Sequence, residues 1–369
     1  MASKVYFADL QHKRPFENTI ELIDRLFNEA ETRKALSEGD LTAVKVHFGE
    51  EGCDTYLNPV FVRRIINNIK ECGANPFLTD TNTLYSGSRH NSVNHIKTAI
   101  EHGFDYAVTN APIVIGGGLK CDNHCEVTID KKHFKTVKIA PEICEADSMI
   151  VVSHFKGHIV AGFGGAIKNL GMGCATYEGK RDQHRVLQPE VNLDLCTGCG
   201  KCRKVCSFEA PEIIDKKSYI NGDKCASCGQ CVPSCPEGAI SFCWDEDIVP
   251  FTERIAEYAL GAVKGKDKKT AYITFLINVT PLCDCAPWSD APIVPDIGIL
   301  ASDDPVAIDA ACRDLVNMQK GNEGTHLQCN HLPGEDKFKG TWSYTDADRQ
   351  IIHGEEIGLG TASYELIKI

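Results

Sequence analysis

Eight of the nineteen cysteines in this 369-residue chain form a doubled pattern that is typical of metal ligands. Each quartet reads C-x₂-C-x₂-C-x₃-C, and the second repeats the spacing of the first. Three thiolates this close together can bind one iron–sulfur cluster, whereas the fourth lies too far along the chain to join them. The first quartet is Cys196, Cys199, Cys202 and Cys206, and the second is Cys225, Cys228, Cys231 and Cys235.

The double run resembles the ligand pattern of two-cluster bacterial ferredoxins, in which the fourth cysteine of each run binds the other cluster. Zinc is disfavoured because a tetrahedral site uses two separated pairs of ligands. Disulfides are disfavoured because they need an oxidising compartment, and the N-terminus does not resemble a signal peptide. The resemblance implies one [4Fe-4S] cluster on Cys196, Cys199, Cys202 and Cys235, and a second on Cys225, Cys228, Cys231 and Cys206.

A glycine-rich segment at residues 153–184 is the second place where we expect chemistry. It holds seven glycines among histidines and lysines, and it follows an apolar run. Loops at the carboxyl ends of strands are the usual ligand sites of α/β sheets, and glycine lets the backbone approach a ligand closely. The N-terminus of a following helix would suit an anion. We therefore predict a cleft whose cofactor-binding residues are Gly162, Gly164, Gly165 and Asn169.

The polar side chains of this segment indicate what the cleft would do. His158 and His184 would move protons near neutral pH. Lys168, if the pocket desolvates it, would act as a nucleophile or as an anion clamp. Asn169 would donate a hydrogen bond to a developing oxyanion. The alternative interpretation is that the glycines only permit close helix packing and that the charged groups lie on the surface.

Cys283 and Cys285 predict a third metal centre. Residues i and i+2 of an extended segment share a face, so both sulfurs can reach one ion. Cys174, just after the glycine-rich run, is the predicted third ligand, and Cys53 is a further candidate. The alternative is a pair of ordinary thiols or a reversible redox pair.

The elements that must position these residues alternate between strands and helices, which predicts an α/β fold. Continuous apolar runs such as 148–154 are typical of strands buried in a parallel sheet. The tail beyond residue 320 shows no clear pattern. Predicted strands cover residues 5–8, 41–48, 77–79, 148–154, 271–279 and 296–300, and predicted helices cover 16–36, 59–72, 92–102, 250–263 and 304–317.

The cysteine runs occupy only a small part of the chain, so a larger body flanks them on both sides. We predict a discontinuous α/β domain, made of residues 1–186 and 246–369, with a parallel or mixed sheet. A 2[4Fe-4S] ferredoxin-like α+β module would be inserted at residues 187–245 as a surface excursion.

The composition excludes two classes of partner. A net charge of −12 argues against nucleic acid. Apolar residues make up 43% of the chain, which is enough for an ordinary core, but no apolar run approaches the ~20 residues of a membrane span. Because thiolate clusters and free cysteines fit a reducing compartment, we expect a cytoplasmic protein that does not bind a membrane.

Most of the chain resembles members of the domain-of-unknown-function 362 (DUF362) family that carry iron–sulfur centres. The resemblance includes the eight-cysteine insert, the run H-F-K-G-H-I-V-A-G-F-G-G-A-I-K-N-L-G-M-G and the run P-D-I-G-I-L-A-S-D-D-P-V-A-I-D. The part that begins at His158 is also similar to H-F-F-A-G-F-S-G-G-R-K of nickel-dependent lactate racemases. That similarity implies that His158 is an acid/base and that Lys168 carries a covalent nickel pincer cofactor. It further implies that His184 binds the metal and that His90 is a second catalytic histidine, while Ile167 replaces an arginine.

These observations predict an iron–sulfur oxidoreductase. Two clusters would relay single electrons from a donor or redox partner protein to the Gly/His/Lys cleft, where a small, anionic substrate would bind. One alternative is a non-catalytic electron-transfer subunit of a larger redox complex. Another is a racemase or epimerase in which the clusters are structural.

Overall fold

The computed structural model of the chain describes residues 2–10, 17–242 and 244–369, which fold into strands and helices that alternate along much of the chain. In chain order the strands are β1 (Ser3–Asp9), β2 (Leu41–Lys45), β3 (Asn75–Thr79), β4 (Cys125–Thr128), β5 (Thr136–Ile139), β6 (Ser148–His154), β7 (Lys156–His158), β8 (Gly162–Gly164), β9 (Pro189–Val191), β10 (Pro211–Ile214), β11 (Lys217–Ile220), β12 (Ile240–Phe242), β13 (Thr270–Leu276), β14 (Gly298–Ser302) and β15 (Tyr364–Lys368). The helices are α1 (Thr19–Glu29), α2 (Pro59–Glu71), α3 (Ser92–Glu101), α4 (Tyr106–Thr109), α5 (Pro141–Glu145), α6 (Ala166–Gly171), α7 (Tyr177–His184), α8 (Lys201–Val205), α9 (Cys231–Ser234), α10 (Trp244–Val263), α11 (Pro305–Asn317), α12 (Lys337–Thr341) and α13 (Arg349–Glu356), with a 3₁₀ turn at Thr32–Ala35.

Seven strands form the central sheet, in the order β15-β1-β14-β13-β6-β2-β3. β14 runs antiparallel to both neighbours, and the other neighbouring pairs are parallel. The predicted α/β fold is therefore confirmed, with a mixed but mostly parallel sheet. Because β2, β3, β6 and β13 point the same way, the loops that follow them meet at one edge, where α/β sheets bind ligands.

Apolar layers cover both faces of this sheet. β6 and β13 are buried along their whole length, as expected for strands covered on both sides. One layer includes Leu26 of α1 and Ile65 of α2, and the other includes Leu170 of α6, Ile255 of α10 and Ile308 of α11. Each fully buried aliphatic side chain contributes about 1.5–3 kcal/mol, so these layers fix the positions of the helices that carry polar groups to the sheet edge.

Local signals explain why the helices begin and end where they do. The Asn58 side chain accepts a hydrogen bond from the Val60 N–H at 3.0 Å, and Pro59 occupies the first turn of α2. The chain leaves this helix through Gly73, whose φ of +82° is left-handed. The helix predicted at 59–72 therefore agrees with α2 to within one residue.

Three of the predicted elements are divided or end early in the structure. The helix predicted at 16–36 is divided into α1 and the 3₁₀ turn, because Glu31 adopts a left-handed φ of 55° between them. Its first predicted residue, Phe16, lies outside the described residues. The strands predicted at 41–48 and 271–279 end earlier, at Lys45 and Leu276, where the chain leaves the sheet and enters the loops at the carboxyl ends of the parallel strands.

The C-terminal tail, which showed no clear pattern in the sequence, packs on the glycine-rich segment. β15 adds to the sheet beside β1, and the Phe338 ring lies 5.8 Å from Phe155 and 5.6 Å from Phe163. The Trp342 indole N–H donates to the Pro281 carbonyl at 2.9 Å. The tail therefore supports the loops at the carboxyl ends of the parallel strands.

Residues 189–242 form small elements of their own. β9 pairs antiparallel with β12, and β10 and β11 form a hairpin. The short helices α8 and α9 lie within the two cysteine runs. After this segment, α10 returns to the α/β body and packs against α6 and α13. In the part of the chain that the structure describes, no helix combines the length and the apolar character that a bilayer span requires.

Candidate functional site

A hairpin built by glycine brings the glycine-rich segment to the loop after β13. β7 and β8 pair antiparallel, with His158 opposite Gly162. The Gly157 N–H donates to the Thr280 carbonyl at 2.8 Å, and a Cβ on Gly157 would lie 2.4 Å from the Pro281 carbonyl oxygen. Only glycine permits this approach. It places His158 next to the Cys283–Asp284–Cys285 turn.

We call the group formed by His158, Lys168, Cys283, Asp284 and Cys285 the sheet-edge site. One nitrogen of His158 and the two sulfurs lie within 4.8 Å of one another. The two sulfurs are joined as a disulfide, with Cys283 buried and Cys285 half-buried. The structure thus adds a histidine to the pair of cysteines that the sequence singled out.

Cys174, the third ligand predicted for this centre, lies elsewhere. Its side chain is fully buried in the apolar layer that contains Leu170, and its carbonyl accepts a hydrogen bond from the Ala140 N–H. Burial raises the pKa of the Cys174 thiol to about 12, so it remains protonated at neutral pH. Cys53 is also buried, and it contacts Ser289 through a 3.6 Å hydrogen bond.

The middle residue of the turn is held by a histidine and a lysine. Asp284 is 1% exposed, and its carboxylate lies 2.9 Å from His154 Nδ1 and 3.2 Å from Lys156 Nζ. Burial alone would raise the pKa of Asp284, but the His154 and Lys156 charges hold it at about 2. The carboxylate therefore stays ionised at neutral pH and fixes the direction of the turn.

The backbone of the turn is anchored from the other side of the edge. The Glu50 N–H donates to the Asp284 carbonyl at 2.8 Å, and the Tyr85 hydroxyl donates to the Cys285 carbonyl at 3.0 Å. Both donors belong to loops that follow other strands, β2 and β3. The positions of the two sulfurs are thus set by contacts from three parts of the α/β body.

Lys168 lies beside the disulfide. Its Nζ lies 3.9 Å from Cys283 Sγ. Burial and the positive charges of Lys156, Arg89 and Lys45 lower the pKa of Lys168 to about 7, although Asp284 opposes the shift. About half of the Lys168 side chains are therefore neutral amines at pH 7, which is the reactive state that the sequence predicted.

His158 and His184 are neutral rather than poised near pH 7. Burial, together with the charges of Lys168 and His184, holds the pKa of His158 well below its usual range. Burial also lowers the pKa of His184 to about 4, against the effect of its hydrogen bond to the Lys180 carbonyl. Both rings can accept or donate a hydrogen bond, but their own titration lies below neutral pH.

The two rings differ in the nitrogen that carries the proton. His158 Nδ1 accepts hydrogen bonds from the Val160 and Ala161 N–H groups at 3.1 and 3.0 Å, so the proton lies on Nε2. His184 Nδ1 lies 2.7 Å from the Lys180 carbonyl and must donate to it, which leaves a lone pair on Nε2.

His90 does not join these groups. It is exposed, and its Nδ1 lies 2.6 Å from the Gly87 carbonyl. His47, in contrast, contacts a buried cation, since its Nε2 is 3.1 Å from Arg89. Burial and the charges of Arg89, Lys156 and Lys45 hold the pKa of His47 well below its usual range.

The helix N-terminus that was expected to bind an anion is already filled by a carboxylate of the chain. Asp309 of α11 accepts hydrogen bonds from the Ala166 and Ile167 N–H groups at 2.7 and 2.9 Å. A Cβ on Gly165 would lie 2.3 Å from the Asp309 carboxylate. The predicted role of Gly165 in binding a cofactor is therefore replaced by a structural one, the close packing of α6 against Asp309.

The other glycines divide between packing and the site. A Cβ on Gly162 would lie 2.6 Å from Ala347, so this glycine makes room for the C-terminal tail. Gly164 faces the cations instead, since its Cβ would lie 3.3 Å from Lys168 and 3.8 Å from Lys156. Of the three predicted glycines, only Gly164 contacts the Lys168 side chain.

Asn169 is bonded within the protein. Its amide nitrogen donates to the Val152 carbonyl at 3.1 Å and the Ser153 hydroxyl at 3.0 Å, and its oxygen accepts from Lys45 Nζ at 2.7 Å. We expected Asn169 to donate a hydrogen bond to an oxyanion, but its amide nitrogen already donates to Val152 and Ser153. Asn169 instead connects α6 to β2 and β6 and holds Lys45.

A buried charge network beneath the site was missed by the sequence reasoning. Lys45 lies 2.9 Å from Asp80, and Arg89 lies 3.6 Å from Asp80 and 3.1 Å from Glu50. Burial would raise the pKa of Asp80, but Lys45, His95 and Arg89 lower it overall. The available signal was a lysine inside the otherwise apolar strand T-A-V-K-V, since lysine is almost never buried without a partner.

Four cysteines from both sequence runs line one cavity. They are accompanied by Ser218 and Ile240 and by the glycines of the first run. The Ser218 N–H lies 3.4 Å from one of the sulfurs, and the Ala239 N–H lies 3.3 Å from another. The four are Cys196, Cys199, Cys202 and Cys235, which is the set predicted for one cluster.

The other four cysteines also lie close together. Burial and the nearby thiols of the other three raise the pKa of Cys231 to about 12. The Ser227 N–H donates to Cys225 Sγ at 3.3 Å. The four are Cys206, Cys225, Cys228 and Cys231, so the fourth cysteine of the first run lies with the second run.

This second group is next to the α/β body. Gln230 lies between two of its cysteines in the sequence and exchanges hydrogen bonds with Ser86. The Tyr177 and Phe208 rings lie 6.1 Å apart, and burial raises the pKa of Tyr177, with a further contribution from the nearby Cys228. The loop that contains Ser86 therefore contacts residues 189–242, which we call the cysteine-rich segment. Tyr85, the residue before Ser86, contacts Cys285.

Another cluster of potential ligands consists of His133, Glu253 and His353. The Glu253 carboxylate already pairs with Lys132 at 2.8 Å and with Arg349. Burial would raise the pKa of Glu253, but these partners lower it to about 2. The cluster is therefore an ion-pair network in which Lys132 and Arg349 already bind the Glu253 carboxylate.

Comparison with known proteins gives a family and a weak structural likeness. Residues 42–314 match the family described as a domain of unknown function (DUF362). A search of curated proteins finds no match. The structure of the lactate racemase apoprotein from Thermoanaerobacterium thermosaccharolyticum is similar over 74% of this chain, with 11% identity and a TM-score of 0.36. The aligned region covers 51% of that protein, so this chain spans about half its length, and the likeness is too low to support an inference. Because the family match covers more than half of its residues, the chain belongs to the DUF362 family.

Proposed function

We propose that this chain is an iron–sulfur oxidoreductase whose two [4Fe-4S] clusters relay single electrons from an external donor to the sheet-edge site. The observation that carries the proposal is the contact between Gln230 and Ser86. Gln230 lies within one cysteine group, and the residue before Ser86 donates a hydrogen bond to the Cys285 carbonyl. A carrier that only exchanged electrons with other proteins would need no such contact.

The spacing of the cysteines fits clusters better than single metal ions. The sulfurs of a tetrahedral zinc site lie about 3.8 Å apart, whereas the ligands of a cube bind four different irons and stand farther apart. In the described residues, none of the eight belongs to a group of three ligands within 4.8 Å. The N–H groups that point at the sulfurs are also the kind of contact that tunes cluster potentials.

The charge of the sheet edge favours an anionic ligand. The side chains of five cations gather around three carboxylates in this region, and their mutual repulsion contributes to the low pKa of Lys168. Lys168 has one weak hydrogen bond among the described contacts, to sulfur, and it is the cation best placed to meet a ligand. The cations are Lys45, Arg89, Lys156, Lys168 and Lys180, and the carboxylates are those of Glu50, Asp80 and Asp284.

The test is anaerobic purification followed by iron and sulfide analysis and electron paramagnetic resonance. We expect about eight irons and eight sulfides per chain and the signals of two interacting clusters after reduction. The Lys168→Ala variant should keep both clusters but lose ligand binding. Zinc without sulfide would refute the proposal, and unchanged ligand binding would remove Lys168 from it.

A racemase or epimerase with structural clusters is a second candidate, and the His184 ring favours it. A histidine whose Nδ1 donates to a carbonyl has the form that binds metals through Nε2. The amine of Lys168 could carry a covalent group. Nickel in elemental analysis together with a mass increase at Lys168 would support this candidate, and the absence of both would exclude it.

A further inference from the structure

The Cys283–Asp284–Cys285 turn is a built site rather than a loop that happens to contain two sulfurs. The Asp284 side chain is held by His154 and Lys156, and the carbonyls of Asp284 and Cys285 accept hydrogen bonds from the loops after β2 and β3. Such anchoring keeps the sulfurs in place whether or not they are bonded to each other. That property is required of a cysteine pair that opens and closes reversibly.

The charges around the turn favour thiolates and disfavour a metal cation. Lys168 Nζ is 3.9 Å from Cys283 Sγ, and Lys156 is paired with the residue between the two cysteines. Positive neighbours stabilise a thiolate and repel a metal ion. His158 points to the same conclusion, because metal-binding histidines use the second nitrogen as a donor, whereas His158 Nδ1 accepts two N–H groups.

We propose that Cys283 and Cys285 are a redox-active pair, a disulfide that takes up two electrons and two protons to become a dithiol. The proposal rests on the electron relay proposed above and names its end point. Two electrons break the sulfur–sulfur bond, and each sulfur takes one proton. The Lys168 ammonium is placed to deliver the proton to Cys283 and is then reprotonated from solvent, and the half-buried Cys285 takes its proton from solvent.

Hydrogen bonds of two adjacent residues, Ser86 and Tyr85, connect the cysteine-rich segment to the turn. Gln230 bonds Ser86, and Tyr85 bonds the Cys285 carbonyl. Two one-electron carriers also match an acceptor that needs two electrons. The electrons come from the external one-electron donor, so the reduction needs no further reductant.

The test uses the intact anaerobic protein and counts alkylated cysteines by mass spectrometry. Reduced methyl viologen serves as the one-electron donor, and a phosphine reductant opens disulfides without the clusters. We expect the segment that contains Cys283 and Cys285 to gain two iodoacetamide groups only after either reduction, and to lose this reactivity after mild reoxidation. The half-buried Cys285 should react before Cys283.

A variant separates the end point from the relay. Cys231→Ser should slow the viologen-driven opening at least several-fold while the phosphine still opens the pair at the wild-type rate. If the clusters are reduced, as paramagnetic resonance reports, but the pair stays closed, the end point is wrong and the relay stands. If the protein contains no iron or sulfide, the relay fails and this proposal fails with it. A pair that is alkylated before reduction, with one metal ion that Cys283→Ser removes, would show a metal site instead.

Discussion

Gln230 and Ser86 exchange two hydrogen bonds. The Gln230 amide nitrogen donates to the Ser86 carbonyl at 2.9 Å, and the Ser86 hydroxyl donates to Gln230 Oε1 at 3.0 Å. A glutamine can do both because its amide has a donor and an acceptor. The Gln230–Ser86 pair joins one cysteine group to the loop that reaches Cys285. Loss of this contact should therefore slow electron delivery and leave the binding of the clusters unchanged.

Replacement of Gln230 by alanine should therefore leave the metal content unchanged and slow the delivery of electrons. The variant removes both hydrogen bonds, at a cost of about 1 kcal/mol each, and loosens the contact between the two parts. We expect the rate of viologen-driven reduction at Cys283 and Cys285 to fall several-fold. The matched control is Gln188→Ala, which loses one hydrogen bond to the Arg185 carbonyl and should behave like the wild type.

The interleaving of the cysteines can be tested by single serine substitutions. Cys235→Ser should remove the same cluster as Cys196→Ser, although Cys235 belongs to the second sequence run, and the iron content should fall by about half. The two variants should therefore share one resonance spectrum. Cys329→Ser, at an exposed cysteine, is the control that keeps all iron. A Cys235→Ser spectrum that matches Cys225→Ser would contradict the assignment.

The sheet was predictable because its signals are local. β6 was predicted to the residue, since a strand that is buried on both faces must be apolar throughout. The tail could not be placed because its position depends on distant contacts, such as Phe338 with Phe155. Periodicity within a short segment contains no information about such partners.

The candidate site was predictable only in part, for a similar reason. His158 and Lys168 were predicted because glycines, histidines and lysines occur together in a single stretch of sequence. Asp309 was missed because it fills the N-terminus of α6 from 143 residues away. Arg89 and Asp80 were missed because burial of a charge depends on a partner that the sequence pattern does not show.

Lys168 should react with cyanate faster than ordinary lysines at neutral pH. Cyanate modifies neutral amines, and with a pKa of about 7 roughly half of the Lys168 side chains are neutral at pH 7. An ordinary lysine with a pKa near 10.4 has a neutral fraction smaller by about three orders of magnitude. The reacting form of cyanate is the protonated acid, whose concentration falls about tenfold per pH unit in this range. Carbamylation measured by mass spectrometry should therefore be level below pH 7 and fall above it at Lys168, while it stays level from pH 6 to 8 at the exposed control Lys131. Parallel profiles at both lysines would contradict the lowered pKa.

Asp284→Asn should destabilise the protein more than its small change in shape suggests. The substitution leaves Lys156 without its buried counter-charge, which typically costs about 3–5 kcal/mol, and changes the group that faces His154 Nδ1. Because the Asp284 pKa of about 2 lies below its ordinary value, its stabilisation is complete at neutral pH and is lost only as the pH falls from about 4 toward 2. Urea unfolding at pH 7 measures the loss. Asp54→Asn, at an exposed aspartate, is the control.

Two adjacent glycines should respond differently to alanine. A Cβ on Gly165 would lie 2.3 Å from the Asp309 carboxylate, which is itself held by two N–H groups of α6, so neither side can move freely. We expect Gly165→Ala to cost about 1–3 kcal/mol in urea unfolding. A Cβ on Gly164 would meet the Lys168 side chain at 3.3 Å and the Lys156 side chain at 3.8 Å, and the flexible Lys168 chain can shift. Gly164→Ala should therefore keep its stability and alter the cyanate reactivity of Lys168 instead. Equal destabilisation by both variants would mean that the Gly165–Asp309 contact does not set the position of α6.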